Sequence, residues 1–377
     1  MKRRISPAPL KQWSEILTII SGKNQKNVKS DTGQYPIYGS GGIIGYATEY
    51  LCEAGTTIVG RKGTIDKPIF VNERFWNVDT AFGISPSDVL DAKYLYYFCR
   101  QFNFKKLDKS TTIPSLAKRD LLQIKMPVPP IMEQRRIVSR IEELFSKLDK
   151  GVETLQTIKQ QLAVYRQAVY SSNFNKIGDF RPIVDFFEIS GGLTKNSKRQ
   201  ELPQQVPYLR VANVYYNCLE LDVIKTIGVT EKELQKCSLK TSDLLFVEGN
   251  GSKSQIGRVA MWDGSIETCV HQNHLIRGRA NGKILPKYAL YYLISQEGRK
   301  QIVDIAKSTS GLYTLSINKV KNLQIPFCSR PEQETILNEI EARLSVCDSI
   351  EQTVDEALAQ ADAMRQSILK QAFEGEI

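Results

Sequence analysis

The chain has 377 residues, 41% of them hydrophobic and 24% charged, with a net charge of +10; that composition leaves room for two or three ordinary globular domains and excludes a disordered or fibrous chain. No stretch nears the roughly 20 apolar residues of a membrane span, and the basic start MKRRISPAPLKQWSEIL has no apolar segment of signal-peptide length, so a cytoplasmic protein with no membrane partner is expected. Seven scattered cysteines, never in a C-x-x-C pair, fit reduced thiols rather than a disulfide framework.

Residues 1–130 read as a mixed block of short strands, with Thr56–Val59 and Ile69–Val71 carrying β-branched and aromatic side chains between Gly and Asp turns. The glycine-dense run Tyr38–Gly45 suits a tight turn or close approach to a ligand. Residues 91–103 are expected to be a helix with Leu95, Phe98 and Phe102 on one face. A basic, hydroxyl-rich loop at 109–116, a short helix near 117–122 and a proline-rich exit at 124–130 complete the block.

Residues 131–172 then show apolar side chains at Ile137, Ile141, Phe145, Leu148, Val152, Leu155, Ile158, Leu162, Tyr165 and Val169. Steps of three and four give one apolar seam on a helix, and some 40 residues at ~1.5 Å each make a rod roughly 60 Å long, interrupted only by Gly151. A second block follows at 181–330, with a capping-box helix start at Thr230, a strand at Leu244–Val247 running into a turn at Gly249–Ser252, a helix at Lys287–Leu293, and a second K-S-T loop at 307–310. The rod returns at a constant offset of 199 residues: Glu133-Gln134 becomes Glu332-Gln333, Asp149 becomes Asp348, and Arg166-Gln167 becomes Arg365-Gln366. Its seam reads Ile336, Ile340, Leu344, Cys347, Ile350, Val354, Leu358, Ala361, Met364 and Ile368. A register kept this long marks a duplicated unit, and two matched seams favour pairing with each other and with outside helices.

Charge follows the same division. Residues 1–130 carry 19 Lys+Arg against 11 Asp+Glu and residues 181–330 carry 21 against 13, a net +8 each, while 131–180 is +2 and 331–377 is −8. Two basic blocks joined by neutral-to-acidic rods suit two polyanion-binding modules; solubility alone is the plainer reading of surface lysine.

No stretch carries a catalytic signature. Gly55-x4-Gly60-Arg-Lys62 misplaces the lysine of a phosphate loop and lacks its Ser/Thr, and the glycines at 39–42 make a better turn than a dinucleotide fingerprint. His271 and His274 lie in one short stretch with no distant Cys/His pair, a weak metal site; polar side chains at a strand end, available to bases or phosphates, is the better reading. Basic and hydroxyl side chains suit phosphates, while Asn, Gln and Arg suit base edges. The DNA-contact candidates are therefore Ser40, Arg61, Lys62, Thr64, Lys109, Ser110, Thr111 and Lys118 in the first block. In the second they are Lys198, Arg210, Asn213, Asn250, Ser252, Lys253, His271, Asn273, Lys307, Ser308 and Thr309.

Four stretches carry a family resemblance: Tyr35-Pro-Ile-Tyr-Gly-Ser-Gly-Gly-Ile-Ile-Gly45, Gly60-Arg-Lys-Gly-Thr64, Phe75-Trp-Asn-Val-Asp-Thr80, and Met126-Pro-Val-Pro-Pro-Ile-Met-Glu-Gln-Arg-Arg-Ile-Val138. With the block–rod–block–rod order, they closely resemble the specificity subunit of type I restriction–modification systems. The second block departs more, keeping mainly Pro207-Tyr-Leu-Arg210, Asp243-Leu-Leu-Phe246 and the entry to its rod. The resemblance implies an α+β chain: two pseudo-repeated, α/β-mixed target-recognition domains separated by two long helices forming an antiparallel coiled coil. The domains would be 1–130, 131–175, 176–328 and 329–377. It implies a non-catalytic subunit that reads a bipartite, asymmetric site in double-stranded DNA and docks two modification (adenine methyltransferase) subunits and restriction/translocase subunits. The expected docking residues are Ile137, Ile141, Leu148, Leu155, Leu162, Ile336, Ile340, Ile350, Val354 and Leu358. No cofactor is expected in this chain; S-adenosylmethionine, ATP and Mg would sit in the partners. An autonomous DNA-binding regulator and a coiled-coil adaptor remain as alternatives.

Overall fold

The computed structural model describes residues 8–309 and 311–377, without the side chains of 307–309. The chain divides into two units. One comprises residues up to Thr157 together with Asp355–Ile377; the other is Ile158–Val354. The expected domain limits differ from this division, because each long helix contributes one half to each unit.

In the first unit an antiparallel sheet runs Leu17–Ser21, Ala81–Pro86, Thr56–Gly60, Ile69–Val71. Every residue of Thr56–Gly60 is buried, as expected of a short β-branched run covered on both faces. A smaller sheet places Tyr35–Gly39 between Gly42–Ala47, antiparallel, and Trp76–Asn77, parallel. The helix Ala92–Gln101 starts where the Asp91 carboxylate accepts from the backbone N–H groups of Lys93 and Tyr94 at 3.0 and 3.1 Å. It buries Tyr94, Leu95, Tyr97, Phe98 and Cys99.

The second unit repeats this topology. Its larger sheet runs Phe187–Gly191, Leu275–Ala280, Leu244–Val247, Val259–Met261, and its smaller one places Gln205–Leu209 between Lys225–Gly228 and Val270–His271. The pairing senses are the same as in the first unit. Pro286–Ile294 takes the place of Ala92–Gln101. Two local expectations change: Gly249–Asn250 and Lys307–Thr309 are short strands flanking Leu312–Thr314, not a turn and a loop.

The long helices are Ile131–Phe174 and Arg330–Glu374. The first passes through Gly151, which is exposed. Within the first unit Arg136 reaches the carbonyl of Ile377 and Asp149 meets Arg365. Within the second, Lys159 faces Glu351 and Arg166 meets Asp348. Partner numbers fall as residue numbers rise, so the helices pair antiparallel in each unit.

The seam is largely consumed inside the chain. Ile137 and Ile141 join the core of the first unit and Ile340 that of the second, while Leu162 and Val354 are also buried. These five are corrected as docking residues, since an outside helix cannot reach a side chain already buried within this chain. Leu148, Leu155, Ile336 and Leu358 are half-buried, and Ile350 is exposed. Among the described residues no helix is long and apolar enough to cross a membrane.

Candidate nucleic-acid interface

In the first unit the stretch 61–64 is a turn held by backbone. The N–H groups of Arg61 and Lys62 donate to the Thr80 carbonyl at 2.8 and 3.2 Å, and Gly63 N–H donates to Pro114 at 2.9 Å. Leu116 N–H returns a 2.9 Å bond to Arg61. Gly60 permits this fold, because a Cβ there would lie 1.9 Å from the Thr64 carbonyl oxygen. The loop 109–116 is thereby laid against 61–63, and a cleft of about 360 Å³ opens between them, lined by Ser21, Arg61, Lys62, Ser115 and Lys118. Ser40 adjoins it, since a Cβ on Gly63 would lie 3.6 Å from the Ser40 hydroxyl.

The cations of this block fall into two sets. Lys109 pairs with Asp120, Lys105 with Asp66 and Arg74 with Glu53. Among the described residues Arg61, Lys62 and Lys118 have no carboxylate within 4.0 Å; Lys118 donates to the Ile19 carbonyl at 2.7 Å, and Arg61 lies over the Phe82 ring. The loop itself is braced by Asp108, which accepts from the hydroxyl and N–H of Ser110 and from the N–H of Ser115 at 2.6, 3.0 and 3.1 Å. Those bonds, led by the Ser110 hydroxyl, hold the Asp108 carboxyl below its ordinary range. The Ser110 hydroxyl is thus committed inside the loop. Thr64 is half-buried and Thr111 exposed.

In the second unit one three-stranded sheet brings together two candidate stretches, with Tyr313 pairing Asn250 on one side and Ser308 on the other. Asn250 accepts from Ser252 N–H at 2.9 Å, the Ser252 and Ser254 hydroxyls share a 2.9 Å bond, and Lys253 is exposed. The side chains of Lys307, Ser308 and Thr309 lie outside the described residues. Lys198 is exposed on a short turn, and Asn273 is half-buried beside Leu193. The Arg210 guanidinium donates to the Val223 carbonyl at 3.1 Å.

Two candidates are corrected. Asn213 is 1% exposed and braces the 210–224 connection, accepting from Arg210 N–H and donating to the carbonyls of Glu220 and Val223. His271 is fully buried, with Nδ1 3.2 Å from the Cys237 carbonyl; burial, then the nearby Arg277 guanidinium, lowers its pKa to about 4. Neither side chain reaches a surface. His274 is exposed beside Glu248.

Sequence reading missed Lys23, Lys26 and Lys29, which are exposed and, among the described residues, have no carboxylate within 4.0 Å. The available signal was the stretch 16–30, which contains three lysines and no acid. It also missed the role of Gln134 and Gln333, both fully buried.

Two basic blocks of one topology, each clamped on a half of the same helix pair, define a duplicated recognition module. The model of the type I restriction modification DNA specificity domain matches residues 10–163 and again 178–360, and the chain belongs to that family. It is 27% identical over 318 residues to the type I restriction enzyme EcoKI specificity subunit of Escherichia coli K12, covering 78% of this chain and 67% of that protein. It is 23% identical to the EcoDI specificity subunit of E. coli, over 97% of this chain and 88% of that one. Among solved structures, one from work on complex assembly and conformational transition of the type I R-M system shares the fold with a TM-score of 0.71, 14% identity and full coverage of both chains. The HsdS subunit from Thermoanaerobacter tengcongensis matches with a TM-score of 0.53 at 13% identity, over 99% of this chain and 98% of that one. This chain is a type I restriction–modification specificity subunit.

Proposed function

We propose that each block reads one half of a bipartite, asymmetric site in double-stranded DNA, and that the chain itself performs no chemistry. The observation that carries this is the pairing of a repeated scaffold with unlike reading edges. The same sheet orders recur in both units, but the first small sheet turns through Ser40-Gly41, whereas its counterpart connects through residues 210–224. One scaffold with two different edges suits two different half-sites. The carboxylate-free cations Arg61, Lys62 and Lys118 supply the sequence-independent part of binding.

The helices would dock two modification subunits, with restriction/translocase subunits joining that complex. Support comes from equivalent surfaces in the two units. Pro129 and Glu133 line a groove in the first, and Cys328 and Glu332, each 199 residues on, line one in the second. Two copies of one surface suit two copies of one partner. In this reading S-adenosylmethionine, ATP and Mg are bound by those partners.

The test is methylome sequencing of cells expressing the chain with its modification subunit. A split motif that changes in one half when residues 1–125 are exchanged for those of a relative is expected. Methylation independent of this chain would overturn the reading. Strongly salt-dependent duplex affinity would separate it from a coiled-coil adaptor, and co-purification with a methyltransferase from an autonomous regulator.

A further inference from the structure

The hairpin Tyr35–Gly39/Gly42–Ala47 places three large apolar side chains of its second strand in solvent. Ile43 is 53% exposed, Ile44 50% and Tyr46 48%. Neighbouring residues of a regular strand point to opposite faces, so two adjacent exposed isoleucines need an explanation. The register supplies one: Ile37 pairs with Gly45 and Tyr38 with Ile43, so Ile44 is an extra residue, a bulge that re-aims the strand. The tip beyond is open, with nothing within 4 Å of a Cβ on Gly41 or Gly42, and Gly42 has a φ of +126° that disfavours other residues.

Exposed isoleucine contributes nothing to folding; covering it would gain about 25 cal/mol per Å². The surroundings indicate what covers it. Lys29 forms a bridge with Ala47, and Ser30 N–H and Thr48 N–H donate to Tyr46 and Val28, while Lys23 N–H donates to the Asn77 carbonyl, so the segment carrying Lys23, Lys26 and Lys29 crosses from the Trp76–Asn77 edge of the sheet to the hairpin's outer edge. Lys29 reaches back over the hairpin, where a Cβ on Gly45 would lie 3.2 Å from its Cε. On the turn, Ser40 abuts Gly63, beside Lys62. An apolar tip on a sheet with carboxylate-free lysines at both edges, Lys23 on one and Lys29 on the other, and with Lys62 near its turn, is matched to a surface with apolar features flanked by anions. A duplex groove is such a surface, with base edges and thymine methyls between two phosphate backbones. A protein partner would need an acidic rim around an apolar centre.

Resting on the DNA-reading function proposed above, we infer that the bulged tip Ser40–Ile44 enters a groove of the duplex. There Ile43 and Ile44 contact bases while Lys23, Lys26 and Lys29 hold the adjacent phosphates. The tip is then one base-contacting part of the first block, and the unlike connection at 210–224, with Tyr215 and Val223 exposed, stands in its place in the second.

The test uses the full chain in complex with its modification subunit, on a duplex carrying the methylated motif and on one scrambled in the first half-site. Ile43→Ser with Ile44→Ser is expected to weaken the motif duplex roughly 10- to 100-fold, the loss typical of a disturbed base-pair contact, without changing the slope of log affinity against log salt. Lys23→Gln with Lys26→Gln and Lys29→Gln is expected to reduce that slope by about two to three and to weaken both duplexes alike. Both variants alter exposed positions, and unchanged thermal unfolding checks the fold. Wild-type discrimination by the isoleucine variant overturns the assignment, as does loss of complex assembly with duplex affinity retained, which would mark a protein contact. An unaltered complex with no duplex affinity overturns the DNA-reading function and the hairpin assignment together.

Discussion

The side chain of Gln134 accepts a 2.8 Å hydrogen bond from the backbone N–H of Asp91, the residue that caps the block's own helix. Its amide N–H group donates to the carbonyls of Val89 and Pro129 at 2.9 and 2.8 Å. In the second unit Gln333 accepts from the N–H of Leu285, the residue before helix Pro286–Ile294, and donates to Cys328, each at 2.9 Å. A glutamine thus fastens each long helix to the first turn of its block. Around it the pairs repeat: Lys93–Glu142 and Lys287–Glu341, both 2.6 Å, and Tyr94 on Phe373 answered by Tyr288 on Phe174.

Gln134→Leu should therefore loosen the first block without touching the second. It strands a buried N–H and two carbonyls, at a cost of about 1–3 kcal/mol for each unsatisfied group, lessened by relaxation. Amide exchange read by mass spectrometry should quicken across 91–101 and stay unchanged across 285–294. Gln333→Leu should give the mirror result. Equal effects on both helices would remove the fastening role.

The helix pair carries a second repeated contact. Arg166 meets Asp348 at 2.7 Å and Arg365 meets Asp149 at 2.5 Å, each residue 199 positions from its counterpart, and Arg166 alone also meets Glu351, at 2.9 Å. Arg166→Glu places like charges together and should cost about 1 kcal/mol or less, because the pair is partly solvated. Asp348→Arg in the same chain should restore part of that loss. A double-mutant cycle of urea midpoints, repeated at high salt, checks both sign and screening.

Much of this architecture is legible in the residues. The heptad seam and its 199-residue echo disclose two long helices, because a continuous 3.6-residue period has few other solutions. Thr56–Val59 and Thr230 likewise show their strand and cap. What is not legible is how each surface is used. Ile141 and Ile350 look alike on the seam, yet one is fully buried and the other 40% exposed, since the blocks cover the helix ends and nothing local records that. His271 reads as an available polar side chain until the parallel pairing of Leu209 with His271 carries it into the core. The bulge at Ile44 depends on the pairing of two strands, which composition does not carry.

The cleft cations should act on DNA without regard to sequence. Arg61→Gln, Lys62→Gln and Lys118→Gln each remove a charge with no carboxylate partner within 4.0 Å among the described residues. Each should lower the salt slope of duplex affinity by up to about 0.9 while leaving the methylated motif unchanged. Lys109→Gln, whose charge is already engaged by Asp120, should lower it less. Fluorescence anisotropy across a salt series measures all four; an equal loss for Lys109 would place the loop, not the cleft, against the backbone.

His271 makes the second unit acid-sensitive. Its folded pKa is lowered to about 4 from an ordinary 6.5, chiefly by burial and then by Arg277. The unfolded chain therefore binds the extra proton first as pH falls, and stability drops through the window from about 6.5 to 4. By pH 5 the loss is about 2 kcal/mol, from 1.36 kcal/mol per unit of pKa difference. The first unit suggests the control, because Asn77 holds the equivalent place: it pairs with Tyr38 as His271 pairs with Leu209. Asn77 is also fully buried, donates to the Ile20 and Ala81 carbonyls, and has no proton to gain. His271→Asn should lower stability at pH 7 through imperfect packing, yet flatten its decline between pH 7 and 5. Urea midpoints at the two pH values, for the wild type and the variant, decide the point. Parallel declines would mean that other groups carry the acid sensitivity.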